Sequence, residues 1–374
     1  MKTYFKGLNG LRFIGAFSVL IGHIELIKYF NGLPNLMKYA FYKNTNGHLG
    51  VLLFFVLSGF LITYFLIVEI EHRQKINFKN FYIKRLLRIW PIYYLMIVFA
   101  IFVLPTILSL FGENTNIYSY TQIKYYIFFL PNIAKSCNYA IPGAVHLWSI
   151  GVEEQFYLIW PILIYIFRKR LFHLFVIIFI TFSILPLLVD FIYIRSDYFQ
   201  KIPDIKKIIS AFLSSFKINA MALGGIFAYL HIQKFKFIEI LHSSFYELCI
   251  FSTTFILWSL GINIGTFSDE IYSILFACII YTTATKNKPI INLENKIFNF
   301  LGKISYGIYV YHWVILMITL KLINLCHINF HEKQILANCI LYVTSITFTI
   351  LISYISYKYI EAPIMNMKKK FNID

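Results

Sequence analysis

Long apolar runs recur along this chain, most close to the roughly 20 residues a helix needs to cross a bilayer. Ten can be drawn, at about 8–30, 48–68, 86–111, 146–167, 171–194, 208–231, 243–262, 267–285, 301–323 and 335–358. The pattern predicts an all-α, polytopic membrane bundle of about ten transmembrane helices. No Pro/Ser-rich linker or internal repeat interrupts it, so residues 1–374 read as one membrane-embedded domain, with no room for an attached periplasmic domain. Two connections are long. Residues 69–85 are basic and aromatic and read as an interfacial segment feeding the third span. Residues 112–145 are poor in charge and carry Tyr118, Tyr120, Tyr125 and Tyr126, with Trp148 just beyond. Such aromatics form interface belts and can also stack on sugars.

Composition agrees: of 374 residues, 59% are hydrophobic, 19% aromatic and 14% charged. The net charge of +17 suggests nucleic acid until it is mapped onto the spans. With the N-terminus inside, the cytoplasmic segments hold 21 of the 34 Lys and Arg, including six between 73 and 88, the Arg168-Lys169-Arg170 run and Lys368-Lys369-Lys370. This excess is the positive-inside bias, with both termini cytoplasmic; the charge encodes orientation, and nucleic-acid binding is set aside. Five scattered cysteines lack a CxxC pair and imply neither a disulfide framework nor a zinc site. His327 and His331 have metal-ligand spacing but no evident third ligand, so no metal is predicted. The start, MKTYFKGLNGLRF, has no small-residue cleavage site and carries a charge in its apolar run, as an uncleaved anchor does.

Ionisable residues within spans are expensive and mark function. Arg12 and His23 lie eleven positions apart in the first run, which returns the helix to within about 20° of one face, roughly 16 Å further along. That places a cation near one leaflet and a titratable base deep in the membrane. A lone intramembrane histidine is also often a hydrogen-bonded packing residue. Glu25 falls about 200° around from His23 and reads as a solvated residue near the outer interface. Glu153 and Glu154 sit together in HLWSIGVEEQFYLIWP (146–161), where two carboxylates without an in-helix cation need partners elsewhere; Arg12 and His23 are the candidates. His146 shares a face with Glu153. Arg85 and Arg88 stand at i, i+3 at the mouth of the third span. They fit plain positive-inside anchoring, and equally a phosphate clamp built on the planar guanidinium fork. Lys217 and Asn219 precede a run of small residues suited to close helix packing. Ser58 fits a nucleophile or a small residue in a helix contact.

Taken together, GLNGLRFIGAFSVLIGH, FFVLSGFLIT, RLLRIWPIYY, HLWSIGVEEQFYLIWP, ISYGIYVYHWVI and YKYIEAPIMNMKKK resemble, in order and along the whole chain, acyltransferase family 3. These are integral-membrane O-acyltransferases of bacterial surface polysaccharides. The resemblance implies an acyl group, acetyl carried on coenzyme A, entering from the cytoplasm. Its acceptor would be a hydroxyl of a cell-surface polysaccharide, lipopolysaccharide or lipid-linked glycan precursor, at the inner membrane. His23 matches the family's essential histidine, Arg12 its N-terminal basic residue, Arg85 and Arg88 its R-x-x-R pair, and Glu153 the first glutamate of WSxxVEEQFY. Where many members carry Arg-x-Asp in the sixth span, this chain has Lys217-x-Asn219, which removes a carboxylate. In the mechanism this suggests, Arg12, Arg85 and Arg88 hold the donor, His23 accepts the acceptor's proton or forms a transient acyl adduct, and Glu153 supports the imidazolium. Transfer is direct, or passes to a separate extracytoplasmic partner. The rival readings are a transporter or polymerase of lipid-linked glycans, which needs no coenzyme A, and a non-catalytic scaffold, which would tolerate neutralising these residues.

Overall fold

The computed structural model describes residues 4–36, 46–112, 118–195, 203–328, 330 and 332–367, and its regular elements are all helical. Helices α1 (Leu8–Phe30) and α2 (Asn46–Arg73) come first. α3 (Phe78–Val98) passes through a π turn into α4 (Leu104–Ser109). Residues 112–145, a single connection by pattern, contain the short α5 (Tyr120–Ile127) and α6 (Pro131–Ser136) and enter a 3-10 turn at Pro142–Leu147. Then follow α7 (Trp148–Ile166), α8 (Leu171–Arg195), α9 (Pro203–Ser215) and α10 (Ile218–Ile232). The chain closes with α11 (Ser244–Ser259), α12 (Ser268–Thr285), α13 (Lys296–Lys303), α14 (Ser305–Leu325), α15 (Gln334–Ser356) and α16 (Ala362–Asn366).

Seven helical stretches are long and apolar enough to span a membrane, and eight if α11 is joined to the 3-10 turn from which it bends by 74°. All ten apolar runs are largely helical, but those at 146–167 and 267–285 fall outside even the eight. The reason is polar content: α7 carries Glu153, Glu154 and Gln155, and α12 carries Asp269, Glu270 and a threonine-rich end. Both helices direct such groups at other helices, where hydrogen bonds offset a cost that lipid would leave unpaid.

α2 is the central helix. Of its most apolar stretch 78% is buried against protein, against 11% for α8 and 22% for α15, which turn apolar side chains outward. Small residues allow its closest contact: a Cβ on Gly224 of α10 would lie 2.1 Å from the Val56 carbonyl oxygen, and one on Gly59 only 1.9 Å from that of Met221. The backbones of α2 and α10 therefore touch, as the small residues at 220–225 predict. α1 packs against α2, α14 and α13. Its start is tied down by Glu294, which accepts hydrogen bonds from the Gly7 amide and from the Tyr4 hydroxyl at 2.8 Å. Partial burial opposes ionisation of Glu294, yet the bonds from Gly7, Asn299 and Tyr4 hold its carboxyl below the ordinary range.

Two expectations change. Glu25 is fully buried rather than solvated: it pairs with Lys28 at 2.7 Å, accepts from the Tyr342 hydroxyl at 2.6 Å and takes the Leu36 amide. The tyrosines of 112–145 divide. Tyr126 is buried, with its hydroxyl accepting from the Ile141 amide at 3.0 Å, whereas Tyr120 is 81% exposed.

Candidate active site

α1, α2, α3, α7 and α14 line a partly open cavity of about 100 Å³. Arg12, Arg85 and Arg88 reach it from α1 and α3, Ser58 from α2, Glu153 and Tyr157 from α7, and Tyr309 from α14. The i, i+3 spacing places Arg85 and Arg88 on one face of α3, and the Arg85 guanidinium lies 5.8 Å from the Tyr157 ring centroid. Arg12 donates to Asn9 Oδ1 at 3.0 Å, one turn earlier. Among the described residues no ion pair joins any of the three guanidiniums to a carboxylate, and Arg85 Nε is buried without a hydrogen-bond partner. Glu153 instead accepts from Ser58 Oγ at 2.9 Å and from the Tyr157 hydroxyl at 3.3 Å, and Glu154 from Trp90 Nε1 at 3.0 Å. Four of the five predicted site residues thus share one cavity, which carries three positive charges against one carboxylate. Ser58, offered by sequence as nucleophile or packing residue, is the hydrogen-bond donor that holds Glu153.

His23, the fifth, has a different partner from the one expected. Its Nδ1 meets Nε2 of His312 at 2.7 Å, the two rings being nearly coplanar at 14°. Trp313 closes one side, its ring nearly perpendicular to that of His23 and the centroids 5.1 Å apart. Gly47 of α2 faces the remaining nitrogen: a Cβ there would stand 3.7 Å from His23 Nε2. His312 is fully buried and directs Nδ1 at the Ile308 carbonyl at 3.2 Å, whereas His23 is only partly buried. Glu153 makes no hydrogen bond or ion pair with His23; its hydrogen bonds are to Ser58 and Tyr157.

Hydrogen bonds and one ring contact link the two centres. The Tyr309 hydroxyl, on the cavity wall, donates to the His146 carbonyl at 2.7 Å and lies 2.6 Å from Ser149 Oγ. The His146 ring donates through Nε2 to the Val310 carbonyl at 2.9 Å and crosses the His312 ring edge-on at 5.1 Å. His312 and Tyr309 were missed as site residues because their partners lie far away in sequence, 289 positions in the case of His23 and His312; Tyr157 was missed although it stands one helical turn beyond Glu153. A signal did exist, since His312 stands within ISYGIYVYHWVI.

Lys217 and Asn219 lie outside this cavity. The carboxylate missing from their own segment comes from α12: Lys217 pairs with Asp269 at 2.7 Å, and Asn219 donates to Glu270 at 2.8 Å. Asp269 also takes His48 at 2.9 Å. Among the described residues no group of three or more His, Cys, Asp and Glu is placed to hold a metal ion; His331 lies outside them.

The fold is a bundle of several apolar, membrane-length helices with an arginine-rich cavity and a histidine pair contributed by α1 and α14. The comparisons place it further. The family model described as "Acyltransferase domain" matches residues 5–358, and the chain belongs to that family, acyltransferase family 3. It is 27% identical to the peptidoglycan O-acetyltransferase OatA of Listeria monocytogenes over 97% of this chain and 56% of that protein. It is 28% identical to a putative O-acetyltransferase of Staphylococcus aureus strain COL, over 96% of this chain and 57% of that protein. It is 27% identical to the O-acetyltransferase OatA of S. aureus strain NCTC 8325, with the same coverage. The chain spans little more than half the length of these relatives. Peptidoglycan, not lipopolysaccharide, is the polymer named among them. No solved structure matches.

Proposed function

We propose that the chain transfers an acetyl group from acetyl-coenzyme A, presented on the cytoplasmic side of the inner membrane, to a hydroxyl of a cell-surface polysaccharide. The observation that carries this reading is the convergence of Arg12, Arg85 and Arg88 on one cavity with Glu153 as its single carboxylate. Guanidiniums left unpaired by protein carboxylates suit a donor that brings its own phosphates. Peptidoglycan-type glycan is the acceptor class the relatives favour.

In this reading the arginines hold the donor and direct its thioester toward His23. His23 Nε2 removes the proton from the acceptor hydroxyl as its oxygen attacks the thioester carbonyl carbon. The C–S bond breaks, the ester forms, and the thiolate leaves with the electron pair. Thiols ionise near pH 8.5, so this leaving group needs little proton assistance; the imidazolium then returns its proton to sulfur or water. Glu153 acts from the donor cavity, where it fixes the Ser58 and Tyr157 hydroxyls and limits repulsion among the arginines. Purified protein given acetyl-coenzyme A and peptidoglycan fragments should release one free thiol per ester formed. The absence of both ester and free thiol would reject the donor, and glycan movement across proteoliposomes without either would support a transporter.

A further inference from the structure

The chemistry above assigns no task to His312, yet this residue decides which nitrogen of His23 can act. A backbone carbonyl only accepts hydrogen bonds, so the contact between His312 Nδ1 and the Ile308 oxygen at 3.2 Å requires Nδ1 to carry the hydrogen. In a neutral ring that leaves Nε2 of His312 as an acceptor. The 2.7 Å contact between this Nε2 and Nδ1 of His23 is then donated by His23. His23 in its neutral form therefore has its lone pair on Nε2, the nitrogen that faces Gly47.

We propose that His312 is a positioning residue: anchored by the Ile308 carbonyl, it holds His23 in the tautomer whose Nε2 is the base, and accepts a charge-assisted hydrogen bond from the imidazolium when Nε2 takes the acceptor's proton. The inference rests on the reading of His23 as base. In this site a neutral imidazole does what a carboxylate does for the histidine of a hydrolase triad. Two features of the site fit that role. His312 is fully buried between α1 and the 3-10 turn at 142–147, so its ring has no solvent competitor for the bond. Trp313, beside it, donates Nε1 to the Pro142 carbonyl at 2.8 Å and holds its ring nearly perpendicular to that of His23, which limits rotation of the His23 ring. Glu153, bound to Ser58 and Tyr157, is left to the donor cavity.

The test is a set of three variants read for kcat and for KM toward acetyl-coenzyme A, with His23→Ala alongside and membrane insertion checked for each. The oxygen of a glutamine side chain can reach where Nε2 of His312 stands, whereas that of asparagine reaches only as far as Nδ1. His312→Ala and His312→Asn should lower kcat by about 100-fold or more, within the range that correct proton placement supplies, and leave KM within about twofold. His312→Gln should recover most of that loss. Full kcat in His312→Ala would overturn the proposal, and so would a glutamine variant no better than asparagine. If His312→Ala keeps its activity while His23→Ala is inactive, the base reading stands and only the role of His312 falls. If His23→Ala itself stays active, the base reading falls, and this inference with it.

Discussion

Replacing Arg88 with Gln separates a phosphate clamp from a plain membrane anchor, because the two roles move stability in opposite directions. Arg12, Arg85 and Arg88 face one cavity with Glu153 as the only carboxylate on its wall. Two unit charges about 8 Å apart repel by about 2 kcal/mol at an effective dielectric near 20. Removing one of three should therefore relieve on the order of 1–3 kcal/mol of strain, less the attraction to Glu153 that is lost with it. The same guanidinium, bonded to a phosphate, is worth about 1.5–3 kcal/mol as a charge-assisted hydrogen bond, or roughly 10- to 150-fold in affinity. Arg88→Gln should melt at the wild-type temperature or above it without substrate, while its KM for acetyl-coenzyme A rises by that factor and kcat changes less. Coenzyme A at about 100 times its Kd should stabilise the wild type by about 2.7 kcal/mol and the variant far less. Thermal unfolding in detergent and initial rates in membranes read both effects. A variant that melts lower and keeps its KM would refute the argument and return Arg88 to membrane anchoring.

Other residues give sharper structural tests. Asp269→Asn leaves Lys217, which is 15% exposed, without its ion pair and should cost about 1–3 kcal/mol; adding Lys217→Met should recover part of the loss in the melting temperature. Gly224→Ala drives a methyl group to 2.1 Å from the Val56 carbonyl oxygen and should destabilise by about 1–3 kcal/mol or more, seen as loss of the monodisperse peak in size-exclusion chromatography. Glu294 has a carboxyl held below the ordinary range, so its contribution to stability is complete above the unfolded-state value near 4.3 and fades as pH falls through the lower folded value. The melting temperature difference between wild type and Glu294→Gln should thus stay constant from pH 5 to 8 and narrow below about pH 4; narrowing already at pH 6 would contradict the assignment.

The fold was legible where one chemical pattern sufficed. Apolar runs located every long helix, and the small residues at 220–225 announced the closest backbone contact. The span count was less legible, because α7 and α12 are helices of the predicted length whose polar groups meet protein rather than lipid. At the site, helical periodicity put Arg12 with His23 and Arg85 with Arg88, which are local relations. The partners of Glu153 and His23 depend on how α2, α7 and α14 come together, and no spacing encodes that. Carboxylate-to-histidine pairing was the chemically reasonable expectation, yet the fold sends Glu153 to Ser58 and Tyr157 and His23 to His312. Glu25 misled for the same reason: its Lys28 lies three residues on, but the burial and the Tyr342 hydroxyl come from α15.

The central claim, that His23 is the base for acetyl transfer, is tested most directly in isolated membranes with acetyl-coenzyme A labelled in the acetyl group. Label entering polysaccharide should be robust in the wild type and lost in His23→Ala, in a variant shown to insert at normal levels. Label entering at the wild-type rate in that variant would contradict the account and move the chemistry away from α1.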